Sequence, residues 1–351
     1  MSRLQNTLLQ LKTKGLDGLI VTSDSDISYL TNYQSRDSLL FLSQKLNIFL
    51  TDSRYFDEVK NNLDKKIKPQ KNNGSLLEAA ANLCSKAGLK RIGFDENTFT
   101  FAQHKKLQDL LKKKVKLIPA HGLIADLRQL KDEDEIKKIR KAIQITKETL
   151  GYIEKFIKPG VKEIEIAGEI ERYIRYKGAS SSAFDIIVAS GINSCYPHHI
   201  SSKRTLKMNE PVLIDLGVEF EGYKSDLTRV FFLGKINALV RDVYKLVHKA
   251  QEQALRAVKQ GANSKDIDST ARLIIKEAGY GDNFGHSLGH GVGLDIHENP
   301  KISPKSNTIL QPGMVFTIEP AVYLPNKFGI RIEDMVLVTE KGGEVLSGTI
   351  N

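Results

Sequence analysis

The first third of the chain alternates short apolar runs with amphipathic helical patterns. Leucines at 4, 8 and 11 recur with the spacing of one helix face, which predicts a helix over residues 2–14. Apolar periodicity predicts two more helices, at 75–87 and 100–112, and short apolar runs predict strands at 18–21, 39–42, 48–51 and 91–94. Strands and helices that alternate in this way around their own core are typical of an α/β domain.

The pattern changes at residues 118–122, Ile-Pro-Ala-His-Gly, where we place a domain boundary. Beyond it we predict a helical region at 123–157, interrupted by a charged segment that can cap its second half. A helix at 162–176, a strand at 184–189, helices at 237–259 and 264–278, and a strand-rich remainder follow. The chain is therefore predicted to form an α/β domain over residues 1–122 and an α+β domain over residues 123–351.

An apolar hairpin with two aspartates stands out in the second part. A two-residue turn at Glu221-Gly222 sets Asp215 opposite Thr228 and Asp226 opposite Gly217. Since side chains alternate along a strand, the two aspartates then lie diagonally on one face, roughly 7 Å apart. A charged surface hairpin is the alternative, and the apolar residues before Asp215 disfavour it. An unpaired buried carboxylate costs several kcal/mol, so the pair calls for a metal, an arginine or a shared proton.

The composition indicates a globular protein but does not indicate its function. With 351 residues, 40% of them hydrophobic and 27% charged, the chain is predicted to be globular rather than disordered. A formal net charge of +10 could attract nucleic acid, but the lysines are spread over many segments without an arginine-rich patch. We therefore predict a solvated lysine-rich surface and no nucleic-acid partner.

The cysteines and the lengths of the apolar runs indicate in which cellular compartment the protein works. Cys84 and Cys195 lie far apart and outside any metal-ligand spacing, which suits buried thiols in a reducing environment. No stretch approaches about 18 consecutive apolar residues, and the N-terminus lacks the features of a secretory signal. We predict a cytoplasmic protein without a membrane partner.

Three histidines share one glycine-rich run, GHSLGHGVGLDIHENP, at positions 286, 290 and 297. The glycines make a regular helix there improbable and allow close backbone approach, so the run predicts an irregular loop or strand edge. Any one of these histidines, taken alone, is more often a hydrogen-bonded structural residue than a ligand. Because three histidines occur together with acids in apolar strands, we favour a functional site over three separate structural histidines.

Two more acids lie in apolar strands near the C-terminus. Glu319 ends one predicted strand, while Arg331 and Glu333 lie two apart, on one face of another. With Asp215 and Asp226, the glutamates carry a charge of −4, which two divalent cations would neutralise. Oxygen ligands with one imidazole favour Mn²⁺, Co²⁺ or Fe²⁺, and Zn²⁺ stays possible. Two such metals can share a water and make it a hydroxide nucleophile.

Four motifs in this order make the pattern specific: DLGVEFEGYKSDLTR, GHSLGHGVGLDIHENP, TIEPAVY and GIRIED. The stretch from about residue 123 to 351 resembles the pita-bread metallopeptidase family, which includes methionine aminopeptidase, prolidase and aminopeptidase P. The resemblance implies a pita-bread catalytic domain with two metal ions, Asp226 and Glu333 bridging them. The implied ligands are Asp215, Asp226, His290, Glu319 and Glu333.

The resemblance also implies roles for other side chains. His198 and His297 are expected to face the substrate, with His297 stabilising the oxyanion and His198 near the scissile amide. Glu319 is expected to shuttle a proton as well as bind metal. His286, Tyr323 and Arg331 match positions beside the ligands or the substrate pocket in the proline-specific branch.

The first domain supports that branch. SDISYLT at 25–31 and TDSRY at 51–55 resemble the creatinase-type N-terminal domain of prolidases and aminopeptidase P, which methionine aminopeptidases generally lack. The resemblance implies a homodimer that cleaves between an N-terminal residue and proline, in dipeptides or longer peptides, with Mn²⁺ as the favoured metal.

Two segments depart from the usual pattern of the family: Asn209-Glu210-Pro211, and Cys195-Tyr196, which lies near the pocket. A metal-free binding module of the same fold and a creatinase-like hydrolase are the alternatives.

Overall fold

The structure is a computed structural model that describes residues 2–348, and it divides into two compact units. The first ends at Arg128 and the second begins at Gln129. The predicted division between residues 122 and 123 lies slightly earlier and would assign the short helix Ala125–Arg128 to the second domain. Within the first unit, Arg128 from this helix forms a buried ion pair with Asp26, at 2.8 Å.

A mixed six-stranded sheet flanked by helices forms the first unit, as an α/β domain should. The strand order is β4-β3-β2-β1-β5-β6, and β1 pairs antiparallel with β2 and parallel with β5. The helices are α1 Arg3–Thr13, α2 Asp24–Thr31, α3 Phe56–Asn62, α4 Leu76–Lys86, α5 Phe101–Leu111 and α6 Ala125–Arg128, with a 3-10 turn at Lys112–Lys114. The strands are β1 Gly18–Val21, β2 Leu39–Ser43, β3 Asn47–Thr51, β4 Lys68–Lys71, β5 Arg91–Phe94 and β6 Lys116–Pro119.

The two edge strands of this sheet are absent from the sequence prediction. β4 reads Lys-Pro-Gln-Lys and β6 reads Lys-Leu-Ile-Pro, and each is partly exposed along its length. Lysine and proline are usual on edge strands because they discourage pairing with another chain, and they also erase the apolar alternation. The four central strands, which are buried, appear where their apolar runs predict them.

The second unit is an α+β domain with four helices and several small sheets among its described residues. Its main sheets have the strand orders β12-β9-β8 and β14-β13-β15-β18-β19. The helices are α7 Glu133–Ile153, α8 Glu163–Tyr176, α9 Ala238–Ala257 and α10 Ser264–Glu277, with 3-10 turns at Glu154–Phe156, Gly191–Cys195 and Gly281–Asn283. The strands are β7 Ser181–Ser182, β8 Ile187–Ser190, β9 Glu210–Leu216, β10 Val218–Phe220, β11 Tyr223–Lys224, β12 Leu227–Leu233, β13 Gly289–Gly291, β14 Glu298–Ile302, β15 Val315–Ile318, β16 Ala321–Leu324, β17 Phe328–Arg331, β18 Asp334–Thr339 and β19 Gly342–Val345.

Local sequence signals explain where the long helices begin. Asp132 caps α7 and forms a capping box with Glu135, which is the charged segment predicted to split the helical region. The predicted strand at 184–189 instead begins at Ile187. α9 and α10 pack on the sheet through apolar residues such as Val247, Ala271 and Phe316.

The central hairpin has the predicted register. Asp215 pairs with Thr228 across β9 and β12, and Phe220 pairs with Tyr223 beside the turn. Glu221 and Gly222 have φ of 49° and 83°, the signs of a type I′ turn, which matches the right-handed twist of the strands. Between these two paired stretches the ladder is interrupted at Gly217.

Candidate metal centre

Five potential ligands converge where strands of different sheets end. Asp226, His290 and Glu333 each offer an atom within 4.8 Å of the other two. Oε1 of Glu319 lies 3.4 Å from Nε2 of His290. Asp215 is near the end of β9, Asp226 lies just before β12, His290 is in β13, Glu319 follows β15 and Glu333 precedes β18.

His290 presents one nitrogen to the carboxylates. Its Nδ1 lies 3.1 Å from the carbonyl oxygen of Gly291, which can accept the ring proton. Nε2 then carries the free electron pair and faces Asp226 at 3.5 Å and Glu319 at 3.4 Å. Burial and the neighbouring His297 lower the pKa of His290 to about 4, so the ring is neutral at pH 7. A neutral imidazole held through its second nitrogen is the usual form of a metal ligand.

Arg331 lies behind the carboxylates and binds Asp215. Its Nη2 donates to Oδ2 of Asp215, Nη1 donates to the hydroxyl of Tyr323 at 2.7 Å, and Nη1 also reaches the carbonyl of Pro197 at 3.2 Å. Within residues 2–348, the second oxygen of Asp215, Oδ1, is buried without a hydrogen-bond partner. A buried acceptor left unpaired is unfavourable, which marks this oxygen as a ligand atom.

Thr228 connects Arg331 to Glu333. Its hydroxyl donates to Oε2 of Glu333 at 2.7 Å and accepts from Nε of Arg331 at 3.1 Å. The side chain is fully buried. One hydroxyl therefore orients a candidate ligand and the arginine that holds another.

Arg331 and Glu333 do not share one continuous strand, contrary to the sequence prediction. β17 ends at Arg331 and β18 begins at Asp334. Between them the backbone leaves the ladder: the amide of Glu333 donates to the carbonyl of Thr228 at 3.2 Å, and Arg229 donates to the carbonyl of Glu333. This crossover to β12 brings Glu333 beside the hairpin.

The carboxylates repel one another in the metal-free protein. Burial, followed by the charges of Glu333, Asp215 and Glu319, raises the pKa of Asp226 well above its ordinary value. Burial together with Glu319 and Asp215 likewise raises the pKa of Glu333. Burial raises the pKa of Glu319 to about 8, against the opposing charge of Arg331. Such a cluster needs protons or cations to be stable at neutral pH.

His286, Tyr323 and Arg331 form a chain beside the candidate ligands. Nε2 of His286 lies 3.3 Å from the hydroxyl of Tyr323, which accepts from Arg331. Burial lowers the pKa of His286 to about 4 and raises that of Tyr323 to about 12, so both are neutral at pH 7. Nδ1 of His286 donates to the carbonyl of Ser287 at 2.8 Å, so Nε2 accepts from Tyr323, and Nδ1 lies 4.0 Å from Oε2 of Glu319.

His198 and His297 are both exposed. The ring of His297 meets that of His290 edge to face, with centroids 4.3 Å apart. Burial and the neighbouring His198 lower the pKa of His297, which places the two exposed histidines near each other. His297 therefore borders a candidate ligand, and His198 follows Pro197, whose carbonyl accepts from Arg331.

The side chains fit divalent cations. When ionised, the four carboxylates and the guanidinium of Arg331 sum to −3, and Asp215, Asp226 and Glu333 are buried, where such a charge needs counterions. The unpaired oxygen of Asp215 and the free nitrogen of His290 both belong to the cluster. Oxygen donors with one imidazole suit Mn²⁺, Fe²⁺, Co²⁺ or Zn²⁺.

Sequence reasoning missed the residues that hold the ligands in place. The hairpin register sets Thr228 opposite Asp215, but its bonds to Arg331 and Glu333 depend on strands more than 100 residues away. Thr317 donates to Glu319 at 3.2 Å and accepts from the backbone of His290 at 3.1 Å. Threonine is common in strands, so neither residue carries a distinctive sequence signal.

Comparison with known proteins identifies the family. Residues 137–340 match metallopeptidase family M24, and residues 3–130 match the creatinase/prolidase N-terminal domain. The chain belongs to metallopeptidase family M24, so the predicted resemblance and the two-domain fold class are confirmed. The family implies divalent metal ions at the site.

Similar proteins span both domains. An uncharacterised peptidase of Bacillus subtilis is 36% identical over 99% of this chain and 97% of its own length. The structure of an Xaa-Pro dipeptidase from Bacillus anthracis matches with a TM-score of 0.95 at 34% identity, covering 99% of this chain and 97% of that one. The structure of an X-Pro aminopeptidase from Thermotoga maritima matches with a TM-score of 0.87 at 34% identity, covering 95% and 96%.

Two other predictions concern membranes and thiols. None of the helices within residues 2–348 combines the length and apolarity needed to cross a bilayer. Cys84 and Cys195 are both buried free thiols, as predicted, and burial raises the pKa of Cys84 to about 12.

Proposed function

We propose that this metallopeptidase hydrolyses the bond between an N-terminal residue and proline, using two divalent cations held by Asp215, Asp226, His290, Glu319 and Glu333. The observation that carries the proposal is the approach of Asp226, His290 and Glu333 within 4.8 Å, beside the open oxygen of Asp215. The proline preference is supported by the similarity to an Xaa-Pro dipeptidase and an X-Pro aminopeptidase over at least 95% of this chain.

The proposed roles of the side chains follow from their positions. The cations would supply electrophilic activation and a hydroxide nucleophile at neutral pH. Glu319, hydrogen-bonded to Thr317, accepts a proton from the nucleophile and returns it toward the leaving nitrogen. His297 donates to the carbonyl oxygen as negative charge develops there, and His198 binds near the scissile amide. Arg331 donates to Oδ2 of Asp215 and leaves Oδ1 free to bind a cation.

A substrate with proline at the second position cannot be recognised through the N–H of its scissile bond. An Xaa-Pro bond is a tertiary amide without an N–H, so a peptidase cannot bind it through that hydrogen. The neutral pair His286 and Tyr323 beside Glu319 and the exposed ring of His198 are the side chains we assign to recognition of the proline ring. Manganese as the physiological metal, a homodimer and a cytoplasmic location belong to the same proposal.

Three peptides test the function. Chelator-stripped protein is assayed with Ala-Pro, Ala-Pro-Ala and Ala-Ala-Ala before and after Mn²⁺ is added, with Asp226→Asn as the matched inactive control. Metal-dependent cleavage of either proline peptide, with Ala-Ala-Ala intact, supports the proposal, and the length preference separates dipeptidase from aminopeptidase. Equal cleavage of all three peptides would remove the proline specificity. If two metals bind and no peptide is cleaved, the peptidase proposal falls.

A further inference from the structure

A buried carboxylate outside the metal centre organises the segment that carries His198. Glu163, the first residue of α8, has no exposed surface. Its Oε1 accepts from the backbone and hydroxyl of Ser190, both at 2.7 Å, and its Oε2 accepts from the hydroxyl of Ser202 at 2.6 Å. Asn193 donates to both oxygens at 3.1 Å. The two ends of segment 190–202 thus meet on one side chain.

His199 adds a contact next to the substrate-facing histidine. Its Nε2 lies 2.9 Å from Oε2 of Glu163. His199 is half-buried whereas His198, one residue earlier, is exposed. Fixing the ring of His199 therefore restricts the backbone at His198, since neighbouring residues share one peptide plane.

The carboxylate of Glu163 is ionised in spite of its burial. Burial alone would raise its pKa, but hydrogen bonds from Ser202, Ser190 and His199 outweigh burial and leave the pKa below its ordinary value. Hydrogen bonds to an ionised acceptor are shorter and roughly twice as strong as neutral ones. The anchor is thus stronger than the same set of bonds to an amide.

The same segment meets the metal centre at its tip. The carbonyl of Pro197 accepts from Nη1 of Arg331, which also binds Asp215. The hydroxyl of Ser194 accepts from the amide of Gly329 on β17. Segment 190–202 is therefore held by Glu163 at its base and contacts the arginine of the site at its tip.

We propose that Glu163 is a positioning residue, which fixes segment 190–202 through Ser190, Ser202 and His199 so that His198 faces the substrate. The inference rests on the proposed function for the part that concerns turnover. Glu163 lies outside the ligand set and bonds to segment 190–202 rather than to a candidate ligand, so its effect on turnover passes through that segment.

A double-mutant cycle tests this coupling. Glu163→Gln keeps the shape of the side chain and removes its charge, and kcat/KM for the proline peptide should fall by about 10- to 100-fold, the effect of a misplaced group. In a His198→Ala background the same change should alter kcat/KM by less than about twofold, because the group being positioned is gone. The matched control is Glu165→Gln. Glu165 lies two residues along the same helix, and its exposed carboxylate accepts from Nζ of Lys162. Equal losses in both backgrounds would overturn the proposal.

A second readout does not depend on catalysis. The amides of Ser190 and Ser202 donate to Glu163, so hydrogen exchange in segment 190–202 should accelerate in Glu163→Gln while α9 and α10 stay protected. His199→Ala, which removes one donor, should give a smaller increase in exchange at the same amides. It tests the anchor independently if Glu163→Gln does not fold. Unchanged exchange in the segment would refute the anchor, even if no peptide is hydrolysed and the proposed function has failed.

Discussion

Arg331 binds Asp215 through Oδ2, and among the described residues the other oxygen, Oδ1, has no hydrogen-bond partner. The guanidinium thus neutralises the carboxylate from one side and leaves the other side for a cation. An arginine can do this because its planar fork reaches several acceptors at once. Here the fork also reaches Thr228, Tyr323 and the carbonyl of Pro197.

Arg331→Lys should be damaging although it conserves the charge. A single ammonium cannot hold Asp215, Thr228 and Tyr323 together, so we expect kcat/KM to fall by about 10- to 100-fold, as for other groups that orient metal ligands. Metal affinity, measured by titration of the stripped protein, should weaken with it. Lys327→Arg, on an exposed turn in the same region of the chain, is the control. Wild-type turnover in Arg331→Lys would show that the fork is unnecessary.

Removing a central carboxylate should abolish activity without unfolding the first unit. Asp226→Asn and Glu333→Gln each take one charge from the cluster within 4.8 Å of His290. We expect bound metal to fall below two ions per chain and kcat/KM to drop by more than about 100-fold, beyond the loss of an orienting partner. Elemental analysis and peptide assays measure the two effects. Retained turnover in metal-loaded Asp226→Asn would disprove a dinuclear site.

Thr228→Val replaces a hydroxyl by a methyl group of similar size. It leaves Nε of Arg331 and Oε2 of Glu333 without their shared partner, which should lower the free energy of unfolding by about 1–3 kcal/mol. Metal affinity should fall by about 10- to 100-fold. Thr228→Ser keeps the hydroxyl and should restore most of the affinity. Similar metal binding by the Val and Ser variants would exclude an orienting role for the hydroxyl.

The stability of the metal-free protein should fall as the pH rises from 6.5 to 8. Folded Glu319 keeps its proton up to about pH 8, whereas its ordinary pKa is 4.5, so the folded chain binds more protons in this window and loses stability as they leave. His286 and His290, with pKa about 4, act in the opposite direction only below their ordinary 6.5.

Thermal melts of chelator-treated protein at several pH values measure this effect. Added Mn²⁺ should remove most of the decrease, because the cation replaces the protons. Metal-free Glu319→Gln should show a smaller decrease from pH 6.5 to 8 than the wild type, because the carboxyl that titrates in this window is gone. A melting temperature that is level from pH 6.5 to 8 would contradict the proposed repulsion.

Gly217 is required where the hairpin ladder is interrupted. A Cβ at this position would lie 1.9 Å from the carbonyl oxygen of Ser225, so Gly217→Ala must displace backbone next to Asp226. We expect a loss of stability above about 1 kcal/mol together with weaker metal binding. Gly168→Ala in α8, where no heavy atom of the described residues lies within 4 Å of the new Cβ, should instead stabilise by about 0.5–1 kcal/mol. Chemical denaturation distinguishes the two.

The sequence predicts elements whose patterns are local. The register of Asp215 and Thr228 follows from a two-residue turn, and α1, β1 and β5 follow from apolar periodicity. The crossover at Glu333 could not be predicted, because its amide bonds to Thr228, which lies far away in the chain. The edge strands β4 and β6 were not predicted for a different reason: both are partly exposed, so they lack an alternation of apolar and polar residues.

In the candidate site, too, the sequence predicts what is local and misses what depends on long-range contacts. The ligand types are visible in the motifs, and all ten predicted site residues lie in the second unit, around one cluster. The support from Thr228, Thr317 and Glu163 is not visible in the sequence, because it depends on hydrogen bonds to residues distant in the chain. Such residues become recognisable through their partners in three dimensions.

The spread of the ligands along the chain sets the time at which the centre can assemble. Asp215 and Asp226 leave the ribosome well before Glu319 and Glu333, since β13, β15 and the helices α9 and α10 lie between them. At about 5–20 residues per second, roughly 5 to 20 s separate the synthesis of Asp226 from that of Glu333. During that interval the hairpin has neither Arg331 nor a full set of ligands. Metal capture is therefore a late event, and a chain truncated before β17 would carry the hairpin's acids with nothing to balance them.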